Sequence, residues 1–172
     1  MNWDEYYIKM AMLVAIKSKD PSTQVGCVIV GPDHEVRSTG FNGFPRGVFE
    51  THGDQLKDLS NAAPDFKASP PGRLLPRWDR PAKYEWVEHA ERNAVYNAAR
   101  VGVPLKGCTA YLNWEPHPCV NCAKAFIQAG IIEVVGPNIP FPSHSGTDWK
   151  FDISCIMMDE AGVNYREVEW GE

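Results

Sequence analysis

The chain has no uninterrupted run of about 18 apolar residues, the length that a membrane-spanning helix requires. Its opening stretch, MNWDEYYIK, carries charges where a secretory leader needs an apolar region. These two absences lead to the expectation of a soluble, cytoplasmic protein with no membrane contact. It also lacks a basic block. The formal net charge is −5, which argues against a protein that holds nucleic acid mainly by neutralising phosphates and leaves room for a small anionic ligand bound by a local cluster of positive groups. No repeat or low-complexity segment is present. Cysteine is absent from residues 31 to 107, and the total of five is odd. That spread does not fit a disulfide scaffold. Cys27, Cys108 and Cys155 lie in apolar surroundings and read as core residues, since a free cysteine behaves as a small hydrophobe.

What is present suits one core: 172 residues with 44% hydrophobic content, expected to form a single domain over 1–172. Trp3, Tyr6, Met10, Leu13 and Lys17, widened by Tyr7 and Val14, recur at helical spacing and predict an amphipathic helix over 4–18. A β-branched run over 25–30, turn residues Gly31-Pro32-Asp33 and a return over 35–41 predict an antiparallel hairpin. Periodicity then disappears across a Pro- and Gly-rich insertion at 44–82 that carries Arg46, Arg73, Arg77, Arg80 and Lys83. Three roles fit that positive charge: closure over a phosphate, a subunit interface, or a solvated loop. Helical pattern resumes at Trp86 and runs to Gly102. Beyond it the pattern predicts a strand over 109–114, a helix over 119–129, a strand over 131–135, a helix over 151–161 and a strand over 164–170. This order predicts a mixed sheet with helices on its faces.

The segment Glu115-Pro116-His117-Pro118-Cys119-Val120-Asn121-Cys122 holds three possible metal donors. A lone C-x-x-C is ambiguous between a redox pair and half of a zinc ribbon, and a ribbon needs a second cysteine pair that this chain lacks. A histidine must complete the set. His89 stands out among His34, His52, His89, His117 and His144 because it begins His89-Ala90-Glu91 at a predicted helix start. Taken alone, that triplet reads as an ordinary helix start with a solvated acid. Joined to Pro118-Cys119-Val120-Asn121-Cys122, it completes the H-x-E and P-C-x-x-C pattern of zinc deaminases. Cys119 and Cys122, three apart at a helix start, share a face. The spacing of His117, on the extended side of Pro118, points it away from that face. His34, His52 and His144 read as solvated.

These residue types suit one chemistry. Zinc held by one imidazole and two thiolates lowers the pKa of bound water toward neutrality, and the resulting hydroxide attacks C4 of an aminopyrimidine, or the equivalent amidine carbon of an aminopurine. Glu91, near the metal but not on it, serves as the proton shuttle: it takes the water proton, protonates the ring nitrogen and then the departing amine.

The segments SKDPSTQVGCVIV, STGFNGFPRG, HAERNAVYNAAR, PCVNCAKAFIQAGI and DEAGVNYR, in this order, resemble the deoxycytidylate (dCMP) deaminases of the cytidine deaminase-like superfamily. The resemblance implies an α/β fold, a three-layer α/β/α sandwich around a five-stranded mixed sheet, and hydrolysis of dCMP to dUMP and ammonia. It implies a catalytic Zn2+ on His89, Cys119 and Cys122, and Glu91 as the catalytic acid–base group; some phage members carry a second zinc bound partly by cysteines in or before the insertion, and the lack of cysteine over 31–107 predicts a single zinc per chain here. Asn42, by spacing only a turn residue, matches the asparagine that contacts the sugar, and the Ala90 backbone would face the pyrimidine edge. Ser18 and Lys19 are phosphate candidates, with a solvated helix terminus as their plain alternative. The resemblance further implies a homo-oligomer, commonly a hexamer, with deoxycytidine triphosphate activating and thymidine triphosphate inhibiting, Mg2+ accompanying the triphosphate.

Two departures qualify the analogy. Phe41 stands where the family's effector loop has tyrosine. The turn into Cys119 is longer than the family's Ser-Pro-Cys or Glu-Pro-Cys, so His117 is expected in an altered base-binding wall. Alternatives are a deaminase of another small base, a nucleoside or a modified-cytosine nucleotide, and, from another class, a noncatalytic zinc or nucleotide-sensing module.

Overall fold

The structure is a computed structural model and describes residues 1–48, 77–140 and 150–170. His52, Arg73 and His144 lie outside them. The described chain separates into two compact units, 1–43 with 89–172 and 44–88.

The larger unit is built on a five-stranded sheet in the order β2-β1-β3-β4-β5, formed by β1 (Gly26–Val30), β2 (Val36–Phe41), β3 (Thr109–Leu112), β4 (Glu133–Pro137) and β5 (Asn164–Val168). β1 pairs antiparallel with both β2 and β3, whereas β3, β4 and β5 run parallel. The mixed sheet follows from the connections. The first hairpin turns tightly, and each later strand returns through a helix crossover, which parallel pairing requires.

Alternation along the strands makes three layers. Cys27 and Ile29 of β1, Ala110 and Leu112 of β3 and Val134 of β4 enter one apolar cluster. Val28, Val30, Tyr111 and Val135 enter a second on the opposite face. The first cluster is covered by α3 (Ala90–Val101), α4 (Val120–Ala129) and α5 (Phe151–Ala161), through Ala94, Ala98, Phe126 and Met158. The second is covered by α1 (Trp3–Ala15) through Tyr7, Ile8 and Ala11. Burying both faces of β1 explains its unbroken apolar run. Each fully buried Val or Ile contributes about 1.5–3 kcal/mol of transfer free energy.

Two helix expectations require correction. The face of α1 that meets the sheet is Tyr7, Ile8, Ala11 and Ala15, while Trp3, Tyr6 and Leu13 of the expected stripe are exposed. The small alanines allow close packing, so periodicity of large residues marked the wrong side. The helix expected from Trp86 is also interrupted. A single turn, α2 (Lys83–Trp86), ends the smaller unit; Val87 and His89 are extended, and α3 begins only at Ala90. α3, α4 and α5 stop at Gly102, Gly130 and Gly162, where the sequence placed their ends.

Outside the sheet ladder, the Arg166 guanidinium donates to both Asp4 carboxylate oxygens at 2.8 and 3.2 Å, and the Tyr111 hydroxyl donates to Asp4 at 3.1 Å. The hydrogen bond from Arg166 is the main reason that the Asp4 carboxyl sits below its ordinary value of 3.8. A depressed acid stabilises the fold above its unfolded pKa and loses that contribution as pH falls through its folded one. Asp4→Asn is therefore expected to lower stability at neutral pH by no more than about 1 kcal/mol, since the pair is partly solvated. In thermal melts, the difference between the two proteins should vanish as pH drops below the ordinary aspartate range.

Candidate metal centre and active site

α3 is registered against β2 by hydrogen bonds that its sequence supplies at helical spacing. Asn93 and Asn97 donate through Nδ2 to the carbonyls of Phe41 (2.8 Å) and Thr39 (2.7 Å), and the Ser38 hydroxyl donates to the Ala94 carbonyl at 2.6 Å. Gly40 makes the approach possible, because a β-carbon there would overlap the Ala90 carbonyl and the Ala94 amide. Gly40→Ala is expected to destabilise the fold by about 1–3 kcal/mol, as overpacking does, and to weaken metal retention. Chemical denaturation and metal analysis of the purified variant check both.

This packing fixes the start of α3, where His89 is the N-cap, Ala90 the first helical residue and Glu91 the second. On the neighbouring helix α4, Cys119 is the N-cap and Cys122 lies in the first turn. The expectation that both cysteines sit within the helix is thus shifted by one position, yet their thiols still meet. Cys119 Sγ, Cys122 Sγ and His89 Nδ1 are 3.5 Å apart in every pairing. In a regular tetrahedron that edge corresponds to a centre-to-vertex distance of about 2.1 Å, matching the ~2.0–2.3 Å of zinc–nitrogen and zinc–sulfur bonds. The three donors therefore fit a zinc ion with one position left for solvent or substrate.

Electrostatics agree with a cation site. The hydrogen bond with Cys122, aided by His89, lowers the Cys119 thiol to about 4. Burial pushes Cys122 well up. His89 is raised: burial opposes its charge, but the hydrogen bond with Cys119 and the nearby Glu91 and Cys119 charges outweigh it. The group thus retains protons that a metal ion displaces, and two helix N-termini add positive potential. Glu91 is buried beside this group, and burial raises its carboxyl above the ordinary range. A carboxyl so placed holds a proton more readily than a solvated one.

Asn42 and Ser18 are bonded into the loop that follows α1. Asn42 Nδ2 donates to Asp20 Oδ2 (3.0 Å) and the Thr23 carbonyl (2.9 Å), while its Oδ1 accepts from the Val25 amide at 2.8 Å. Ser18 is buried, and its hydroxyl donates to the Asn42 carbonyl at 2.8 Å; Lys19 is exposed. Asp20 also accepts from the Ser22 and Thr23 amides and from the Ser22 hydroxyl. Ser18, Asp20, Thr23 and Asn42 are thus the buried members of a polar network that ties loop 18–25 together. Asn113 extends it by accepting from the Gly26 amide at 2.8 Å and donating to the Gln24 carbonyl at 3.1 Å. Asp20 and Asn113 were not singled out in the sequence, where Asp-Pro reads as a turn and Asn113 falls within the strand expected over 109–114.

Ala90 is fully buried at the helix start. His117 packs edge-to-face on Tyr165 of β5, centroids 5.4 Å apart, with Nδ1 3.9 Å from Glu115 Oε2. It lies in a group with Glu115 and Glu167 separate from the group of His89 and the two cysteines. No described helix is long and apolar enough to cross a membrane.

An α/β/α sandwich with a His–Cys–Cys group on two helix N-termini and a buried carboxylate beside it defines a class of metal-dependent hydrolase site. The profile described as "Cytidine and deoxycytidylate deaminase zinc-binding region" matches residues 1–136. Deoxycytidylate deaminase from Mus musculus is 38% identical over 97% of this chain and 80% of its own length, and that from Homo sapiens is 37% identical with the same coverage. Among solved structures, the dCMP deaminase of cyanophage S-TIM5 in complex with dCMP and dUMP shares the fold, with a TM-score of 0.63, 23% identity and 95% coverage of each chain. The chain belongs to the cytidine and deoxycytidylate deaminase family, with the deoxycytidylate deaminases, and is a deaminating hydrolase.

Proposed function

We propose that this protein hydrolyses dCMP to dUMP and ammonia, as a single deaminase domain into which the 44–82 segment is inserted. The observation that carries the reading is the meeting of His89, Cys119 and Cys122 beside buried Glu91, in a chain with deoxycytidylate deaminase relatives along nearly its whole length. A single zinc held by the three donors supplies the Lewis acidity that makes water nucleophilic near neutral pH. Glu91 takes a proton from the attacking water and passes it to the ring nitrogen, then takes the proton of the new C4 hydroxyl and passes it to the amine. The C4–N bond breaks, the carbonyl forms and ammonia leaves. The Ala90 backbone borders the base. Asn42 holds loop 18–25, with the second lone pair of its Oδ1 available to a sugar hydroxyl. Ser18 and Lys19 mark the phosphate end, where the contribution falls to Lys19 and backbone amides because the Ser18 hydroxyl is already bonded.

The oligomer implied by the resemblance, a hexamer under triphosphate and Mg2+ control, is supported by the outer face of α1. Trp3, Tyr6, Leu13 and Ile16 are all exposed there. Light scattering of the purified protein, with and without the two triphosphates, tests that part.

Comparing ammonia release from dCMP, a 5-substituted dCMP, deoxycytidine, cytidine and cytosine tests the activity. The expected result is a kcat/KM for dCMP at least about tenfold above that for deoxycytidine, the equivalent of one phosphate hydrogen bond to a charged group. Turnover of nucleosides or bases without turnover of dCMP would overturn the proposal.

A further inference from the structure

The turn 113–119 delivers Cys119 to the His89–Cys119–Cys122 group. Three elements that contribute no ligand hold it. From β4, Gly136 lies so close that a β-carbon would meet the Trp114 carbonyl and would come within 2.9 Å of the Pro116 nitrogen. From β5, Tyr165 meets the His117 ring. From α5, the Ser154 hydroxyl donates to the Pro118 carbonyl at 2.7 Å. Pro116 and Pro118 are fully buried, and Ser154 is 0% exposed.

Ser154 is the only one of the three whose contact is a directional side-chain hydrogen bond to the peptide entering Cys119. Its single proton has two carbonyls in reach, Pro118 at 2.7 Å and Phe151, in its own helix, at 3.1 Å. The shorter, long-range bond takes it. The Pro118 carbonyl belongs to the peptide whose nitrogen is that of Cys119. The plane of that peptide sets the direction of the Cys119 Cα–Cβ bond, and with it the position of Sγ. Proline 118 has no N–H and a fixed φ, so rotation of this peptide is the freedom that remains.

We propose that Ser154 is a positioning residue for the metal site, holding the Pro118–Cys119 peptide so that Cys119 Sγ stays within bonding range of the ion. The proposal rests on the His89–Cys119–Cys122 group being the zinc site. It extends the centre to α5, an element in which the sequence shows no ligand. Without the hydroxyl, the Pro118 carbonyl is buried with no donor from α5, and the peptide rotates to find another.

Zinc release to a chromophoric chelator, and the absorption of the cobalt-substituted protein, test it in the full chain. Ser154→Ala is expected to release zinc about 10- to 100-fold faster, as loss of an outer partner does, and to shift the thiolate-to-cobalt absorption. Ser154→Thr, which keeps the hydroxyl, should restore both. Met158→Ala removes a fully buried side chain from the same helix and should lower the thermal midpoint without changing either readout. Should Ser154→Ala fail to fold, Ser154→Cys, a weaker donor of similar size, should release zinc faster than the unaltered protein. Wild-type release and absorption in whichever of these two variants folds would overturn the positioning role, whatever its melting temperature. Absence of thiolate-to-cobalt absorption in the unaltered protein would overturn the zinc reading and this proposal with it.

Discussion

Glu91→Ala is expected to keep a full equivalent of zinc and the native fold while losing about 10²- to 10⁴-fold or more in kcat, the range for removal of a positioned acid–base group. Glu91 follows His89 by two residues at a helix start and stands outside the three-donor group. It is buried, and burial raises its carboxyl above the ordinary range. A desolvated carboxyl contributes little to folding, so its removal should leave the thermal midpoint equal or higher. A structural zinc module has no use for such an acid. Metal analysis, a thermal melt and an ammonia assay on one preparation separate the readings. Unchanged turnover would sink the assigned role, and loss of zinc together with turnover would show that Glu91 supports the ligands instead. Glu91→Gln, which keeps the shape, should match alanine in activity.

The second large effect is expected at Cys122. Cys122→Ala removes one of three donors and should weaken zinc binding by more than the roughly 10- to 100-fold that loss of an outer partner costs. The variant should purify largely without metal and without activity. Cys122 is fully buried in the first turn of α4, where the mutation also leaves a small void. Added zinc in excess should restore part of the metal content but not full activity, because two donors leave the ion free to take extra water. Full occupancy of the purified variant at one equivalent would mean that another side chain replaces the thiolate. His117 is poorly placed for that, engaged as it is with Tyr165 and Glu115.

The metal group was legible in the sequence because its pieces are local patterns with fixed geometric meaning. A histidine and a glutamate two apart at one helix start, and two cysteines three apart at the next, leave little freedom once a strand lies between the helices. The sheet was legible for a similar reason: β1 is a short β-branched run, and the helix stops are marked by glycines. The exposed side of α1 was misread because large residues dominate a periodicity count, whereas Ala11 and Ala15 pack where Gly26 lets the helix close on the strand. The break between α2 and α3 was missed because Val87 fits an apolar helical stripe, and the extended conformation that presents His89 has no composition signal of its own.

The sequence by itself singled out His89, Cys119, Cys122 and Glu91 and the order of the strands and long helices, since spacing along a helix or strand carries those directly. Tertiary structure alone decided what holds them in place. Asp20 reads as a helix-ending turn and Asn113 as an ordinary strand residue until the fold closes them on Asn42 and Gly26, and Ser154 reads as one serine in an apolar helix until α5 lies against the Pro118 carbonyl. Each of these depends on a hydrogen bond between residues far apart in the chain. The partner exists only after packing has brought the two segments within about 3 Å, a distance no local pattern encodes.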